Sequence, residues 1–266
     1  MPRPLFVLLL PLAVACAPPP PPAPTGLAEN LRWFWLHAGD AGDAQLLEGL
    51  DALAVAAKAD ARTSPLKGQL PLRLGQQDVV DAVGLTPSVD PAGARGLLLL
   101  NPLRCTLEAA VPRLASADQA SLHPGLYDAY SRTPAAGATL EDFVQGRVEV
   151  SRWTAEWDAH FPPSDGYHAT QPGMLRRVGG RLLLQRTWLS AEARFAEGSS
   201  SRFPQDYLVE LFWERAPGEL FHALAAWREL RIGALGLTTE DDAVFSPMLD
   251  RLVELDGELE RACGGG

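Results

Sequence analysis

An α+β fold is predicted for this chain: a curved antiparallel sheet packed on a C-terminal amphipathic helix, with a mostly helical N-terminal half. Three observations point to it. Through residues 146–232 apolar side chains recur at alternate positions in successive runs, the period of half-buried strands. Gly179-Gly180 separates two of those runs as a hairpin turn, where positive φ costs glycine nothing. Beyond Ser246 the period changes, and Met248, Leu249, Leu252, Leu255 and Leu259 form one helical stripe that Gly264 ends.

Composition supports a packed core. Of 266 residues 47% are hydrophobic and seven are Trp, so disorder is not the default. Acidic residues outnumber basic ones, 33 to 23, for a net charge of −10. Nucleic acids and anionic lipid surfaces both select basic patches, so neither is an expected partner.

Residues 1–15 carry Arg3 and then a short apolar run, FVLLLPLAV. It is too short to cross about 30 Å of hydrocarbon as a helix, and it matches the core of a signal peptide. The run ends in Leu12-Ala13-Val14-Ala15-Cys16, which resembles the lipobox of bacterial lipoproteins. That resemblance implies cleavage before Cys16, lipidation of Cys16 with palmitate among the acyl groups, and a membrane partner reached through the lipid. Localisation would be the bacterial cell envelope, at the outer membrane or facing the periplasm. Ala13-Val14-Ala15 also suits an ordinary secretory peptidase, so plain secretion is the alternative. Residues 16–26 are then the lipidation site and a tether, whose APPPPPAP segment reads as a stiff polyproline spacer. With Cys16 lipidated, Cys105 and Cys263 remain as an even pair in an oxidising compartment. A bridge would close a loop of about 160 residues, with an entropic stabilisation near 5 kcal/mol at most; two unpaired buried thiols are the alternative.

Residues 27–145 read as the helical N-terminal region. Leu27, Leu31, Phe34, Trp35 and Ala38 make one stripe that Gly39 stops, and Leu46, Leu50, Leu53 and Ala57 make a second after a cap at Asp43. Residues 63–91 are rich in Pro and Gly with a helical turn or two at 76–82, 95–103 contains a buried strand, and 106–115 is helical up to or beyond Pro112. Residues 122–134 read as a loop carrying two tyrosines. Thr139 with Asp142 has the spacing of a capping box for a short helix.

Residues 146–266 carry the sheet and the last helix, as one intimate unit with the region before. In 146–161, Trp153, Ala155, Trp157, Ala159 and Phe161 alternate with Arg152, Thr154, Glu156 and Asp158. Residues 207–213 place Tyr207, Val209, Leu211 and Trp213 on one face. Residues 219–232 fit a helix by propensity, but the Ala-Pro-Gly connection before them favours a strand with Phe221, Ala223, Ala225 and Trp227 inward. The last helix starts at Thr239 or at Ser246. A sheet gripping a C-terminal helix is similar to the helix-grip arrangement of START-like lipid-binding and polyketide-cyclase-like domains. The resemblance rests on element order over residues 146–264, and implies an apolar pocket between sheet and helix. Trp153, Trp157, Ala223, Ala225 and Trp227 are then its expected ligand-binding residues, since the alanines beside bulky indoles, with Ala155 and Ala159, leave space. Alternatively the alanines only let the helix pack closely, and the partner is another envelope protein.

No catalytic constellation stands out. Gly-x-Ser-x-Gly, His-Glu-x-x-His, Cys-x-x-Cys, phosphate-loop and dinucleotide fingerprints are all missing, and no cofactor is expected. Ser64-Pro65-Leu66-Lys67 matches the Ser-x-x-Lys of penicillin-binding proteins without their Lys-Thr-Gly. Asp158, His160 and His168, with Asp165, are the one dense set of metal-ligand types, and would serve a metal-dependent hydrolase. Strand ends also collect such residues for solvation alone. His222 reads as a surface histidine, and the Glu240-Asp241-Asp242 run as helix capping rather than a calcium site.

Overall fold

The computed structural model describes residues 19–60, 65–137, 139–160 and 166–264. In chain order the elements are α1 (Leu27–His37), α2 (Asp43–Asp60), β1 (Leu66–Leu70), α3 (Gln76–Val83), β2 (Arg95–Leu103), α4 (Leu107–Leu114) and α5 (Gln119–Leu122). There follow β3 (Ala129–Pro134), α6 (Leu140–Val144), β4 (Val150–His160), β5 (Gly166–Val178), β6 (Leu182–Trp188) and β7 (Arg194–Phe195). The chain closes with β8 (Arg202–Ala216), β9 (Glu219–Ile232), β10 (Leu237–Thr238) and α7 (Asp242–Gly264).

The strands form one ten-stranded sheet, ordered β1-β2-β9-β8-β6-β5-β4-β3, with β10 beside β9 and β7 beside β5; every pairing is antiparallel. The fold is therefore α+β, as expected, with α7 against one face of the sheet. The N-terminal half contributes more than helices. β1 and β2 extend the sheet beyond β9, and β3 pairs with β4 within the stretch expected to be a loop. Both strands are short edges with polar composition, LKGQL and AYSRTP, so their pairing is set by the neighbour and not by a hydrophobic pattern.

Both faces of the sheet are dry over much of its area. One core lies between the sheet and α4, α6 and α7, and holds Trp153, Ala155, Trp157, Leu183, Phe212, Leu224, Ala226, Met248 and Leu252. The other lies between the sheet and α1, α2 and α3, and holds Leu31, Phe34, Trp35, Leu50, Val209, Leu211, Ala223, Ala225 and Trp227. The segment 219–232 is a strand, and nearly every one of its side chains is buried. That double burial moves Ala223, Ala225 and Trp227 away from the expected position: they face the N-terminal helices, not α7. Alternation identifies the inward face only when the other face is wet.

Two arginines attach the N-terminal layer to the sheet. Arg186 of β6 donates from Nη1 to Trp35 O at 2.8 Å and Leu36 O at 3.4 Å. Arg176 of β5 donates to Ala38 O and Ala41 O at 3.1 and 2.9 Å, and from Nη2 to Asp43 Oδ1 at 2.6 Å. The Trp35, Leu36 and Ala38 carbonyls end α1, where a helix has acceptors without partners and a negative dipole end, and Ala41 lies in the connection to α2. Burial, the largest influence, brings the Arg186 guanidinium down to about 10.

The described part of the proline-rich segment packs on the same layer instead of standing off as a spacer. Pro20 O accepts from Gln45 Nε2 at 3.1 Å, Pro21 O from Trp33 Nε1 at 2.8 Å, and Pro24 O from Asn30 Nδ2 at 2.7 Å. Polyproline backbone has no internal hydrogen bonds, so its carbonyls are free to accept. The signal peptide, Cys16, Ser64 and Asp165 lie outside the described residues.

α7 begins at Asp242, between the two expected starts. Asp241 Oδ2 accepts from Thr238 N at 2.7 Å, which turns the chain into the helix. Cys105 and Cys263 are disulfide-bonded with Cα atoms 5.5 Å apart, tying the last turn of α7 to the end of β2 across 158 residues. Elsewhere Trp153 lies flat on Gly173, its partner in the β4–β5 register; a Cβ there would sit 2.6 Å from the indole. Gly173→Ala is therefore expected to cost about 1–3 kcal/mol by overpacking, read as a lower urea midpoint. An unchanged midpoint would show that the indole has room to move.

Candidate functional site

Between the sheet and α7 lies a cavity of about 220 Å³. At about 30 Å³ per water, it has room for on the order of seven waters. The strand register orders the sheet face beneath it in rows, whose β6, β8 and β9 members, other than Phe212 and Ala226, line the cavity as its floor. One row is Asn101, His222 and Phe212; the next is Leu99, Leu224, Glu210 and Gln185; then Leu97, Ala226, Leu208 and Thr187; then Arg95, Arg228 and Asp206. The floor thus runs from a charged cluster at His222, over an apolar middle, to a charged pair at Arg228. Six residues of strand at about 3.3 Å each separate those two poles by about 20 Å.

At the first pole, His222 is 2% exposed and stacks on Phe212 with ring centroids 4.1 Å apart. Its Nδ1 lies 2.8 Å from Asp256 Oδ1, and Asn101 Nδ2 donates to Asp256 Oδ2 at 2.8 Å. Its Nε2 faces Glu210 Oε1 at 3.5 Å, an ion-pair distance without hydrogen-bond alignment. Gln185 Nε2 holds the other Glu210 oxygen at 2.5 Å. Burial, the largest single influence, opposes the imidazolium, but Asp256 and Glu210 together outweigh it and push His222 up to about 10. At the second pole, Arg228 donates from Nε and Nη2 to the two oxygens of buried Asp206, at 2.9 and 2.7 Å. Burial works against that guanidinium, yet Asp206 leaves its pKa raised.

Aromatic rings close the side opposite the first pole. Tyr127 packs on Tyr130 and on Trp157 with centroids 4.8 and 5.6 Å apart, and Tyr167 packs on Trp157 and Phe203 at 5.4 and 5.6 Å. All five rings line the cavity. Burial raises the Tyr127 and Tyr130 phenols and pushes Tyr167 up to about 12, so all three stay neutral hydrogen-bonding groups. Neither the Tyr127 nor the Tyr167 hydroxyl has a hydrogen-bond partner among the described residues. Met248, Leu252, Leu255 and Asp256 of α7 form the roof.

Of the residues expected from sequence, Trp157 lines this cavity and Trp153 does not. Trp153 is on the same side of the sheet, occupied by Gly173 beneath it and by the Arg132 guanidinium 4.2 Å from its ring. Ala223, Ala225 and Trp227 lie across the sheet, where Trp227 Nε1 donates to Leu72 O at 2.9 Å. The alanine that borders the cavity is Ala159. Asp158, His160 and His168 form two separate hydrogen-bonded pairs rather than one cluster: His168 Nδ1 with Asp158 at 2.9 Å, and His160 Nδ1 with Asp128 at 3.1 Å. Among the described residues no three His, Cys, Asp or Glu side chains converge as metal ligands. His222 is the reverse of its expected place on the surface. Its segment has no wet face, so a polar side chain there is enclosed whichever way it points.

No family model matches the sequence, and no curated protein matches it. Solved structures similar to it include human STARD10, with a TM-score of 0.49 at 8% identity over 76% of this chain and 70% of that one. The lipid transfer and protein localization domain of human StarD13 has a TM-score of 0.45 at 7% identity, covering 82% of this chain and 96% of that one. A STAR-related lipid transfer protein fragment from Xanthomonas axonopodis has a TM-score of 0.43 at 10% identity, covering 75% and 96%.

A pH dependence follows from the charged pole. The unfolded imidazole titrates near 6.5, whereas the folded one titrates at about 10. Its contribution to stability is therefore complete below about pH 6.5 and is lost as pH rises through 10. Urea midpoints across that window should fall more steeply for the wild type than for the Glu210→Gln, Asp256→Asn double variant. Equal slopes would show that His222 is not held protonated.

Proposed function

We propose that this chain is a non-enzymatic binding module for a small apolar or lipid-like ligand, displayed from a bacterial cell envelope by a lipid on Cys16. The observation that carries the binding reading is the cavity between the sheet and α7, walled by Trp157, Tyr167, Phe203 and Leu224. A fully packed core, the alternative for a purely structural protein, would fill that space, because protein interiors leave few voids larger than a water. The charged groups at its two ends are already engaged with one another, so the apolar middle takes the body of the ligand. The Tyr127 and Tyr167 hydroxyls and the Arg228 Nη1, which bonds to no described residue, remain for a polar end.

The envelope reading is supported by the lipobox-like Leu12-Ala13-Val14-Ala15-Cys16 and by the Cys105–Cys263 disulfide, since such bonds persist in oxidising compartments. No helix among the described residues is long and apolar enough to cross a membrane. A metal-dependent hydrolase centred on Asp158, His160 and His168 has no converging ligand set to favour it among those residues.

Two experiments test these readings. Native mass spectrometry beside organic extraction should find a lipid-sized adduct on the wild type and none on Leu208→Trp, which puts an indole into the middle of the floor. A clean wild-type mass together with no binding of the fluorophore N-phenyl-1-naphthylamine would reject the ligand reading. The full-length chain should sediment with membranes and Cys16→Ser should not; release of both into the soluble fraction would reject the anchor.

A further inference from the structure

The walls of the cavity are held in place by different kinds of bond. The sheet is a continuous ladder of main-chain hydrogen bonds. α7 is fixed along its length: Arg95 Nη1 donates to Thr239 O and Glu240 O at 3.0 and 2.9 Å just before it, Lys67 pairs with Asp250, Asp256 binds Asn101 and His222, and Cys263 is bonded to Cys105. The remaining wall is residues 116–128, which bring Gln119, His123, Leu126 and Tyr127 over the cavity.

That segment is attached mainly by side chains. Inside it, main-chain bonds close local turns only, His123 N to Gln119 O and Leu126 N to His123 O. Among the described residues its main-chain ties to the rest of the protein are at its two ends, Ser116 N to Arg113 O and Asp128 N to Asp158 O. Gly125, at φ +79°, turns the chain so that Leu126 and Tyr127 come down onto the aromatic side of the cavity. One polar bridge crosses from its middle to α7: His123 Nδ1 lies 2.8 Å from Glu258 Oε2, and Arg251 Nη1 holds the other Glu258 oxygen at 3.1 Å.

We propose that residues 116–128 are a lid over the cavity, hinged at its two main-chain ties and latched to α7 through His123 and Glu258, and that ligand passes beneath it. The inference rests on the cavity being a binding site. Segments with few main-chain bonds to their surroundings open at a small fraction of the global unfolding free energy. α7 lacks that freedom, because its far end is covalently closed and its middle is tied to the sheet by a buried ion pair.

Hydrogen exchange on the full chain, with and without N-phenyl-1-naphthylamine, tests the lid. In the wild type the amides of 116–128 should exchange faster than those of β8 and β9, and bound fluorophore should slow them. His123→Ala and the shape-conserving Glu258→Gln should each speed lid exchange by about tenfold or more, the worth of one charge-assisted hydrogen bond, with β8 and β9 unchanged. In stopped flow both association and dissociation of the fluorophore should accelerate, leaving Kd nearly constant. Lid amides as protected as β8 and β9, or variants that leave exchange and rates as they were, would overturn the proposal. Failure of the fluorophore to bind wild type would count against the cavity and not the lid, which exchange in the unliganded protein decides alone. Glu258→Gln carries the test if His123→Ala does not fold.

Discussion

Much of this architecture depends on one constraint: a single antiparallel sheet must be kept dry on both faces across β2, β9, β8 and β6. Strands such as β9, with almost no exposed position, cannot exist at the surface of a two-layer protein. Hence the N-terminal helices are not a preamble but the second cover, and α1 is attached by arginines that the sheet itself supplies. Toward β4 the cover runs out. There Arg152, Thr154, Glu156, Asp158 and His160 are exposed while Trp153, Ala155, Trp157 and Ala159 stay buried. That contrast explains where the sequence could be read. β4 has one wet face, so its alternation pointed to the buried side correctly, whereas β9 has none.

Placing charge inside such a sheet is costly unless each group has a partner. The two poles of the cavity meet that condition differently. Arg228 and Asp206 form a closed bidentate pair on neighbouring strands. His222 is held between carboxylates from two elements, Glu210 on β8 and Asp256 on α7. The second arrangement also fixes how the helix sits, since any shift of α7 along its axis would separate Asp256 from both His222 and Asn101. Breaking one partner leaves the others buried and unpaired, so the cluster resists piecemeal loss.

The period of β4, the Gly179-Gly180 hairpin, the strand at 219–232, the capping box at Thr139 and the α7 stripe were all legible in the sequence, because each is decided by nearby residues. β1 and β3 were not, because they are polar edges recruited by strands far away in the chain. Nor was the cavity's charged lining, although one signal was available. Leu249, Leu252, Asp256 and Leu259 recur at the spacing of a single buried seam, with a carboxylate where a leucine would ordinarily stand. A charge in an apolar seam requires an opposite charge across from it, and His222 within an apolar run was the candidate. Trp227 misled for the opposite reason: a large ring marks a buried face without saying which of two.

The docked prolines alter what the segment after Cys16 would do as a leash. With Pro20 seated on α2, a lipid at the proposed site, Cys16, would be four residues from the docked chain, no more than about 3.5 Å each at full stretch. The protein would then be moored closely by its α1–α2 side, and its freedom to tumble at a bilayer would be small. The cavity is on the other side of the sheet. A molecule so moored would present its binding face away from the membrane that holds it, toward whatever crosses the space beyond.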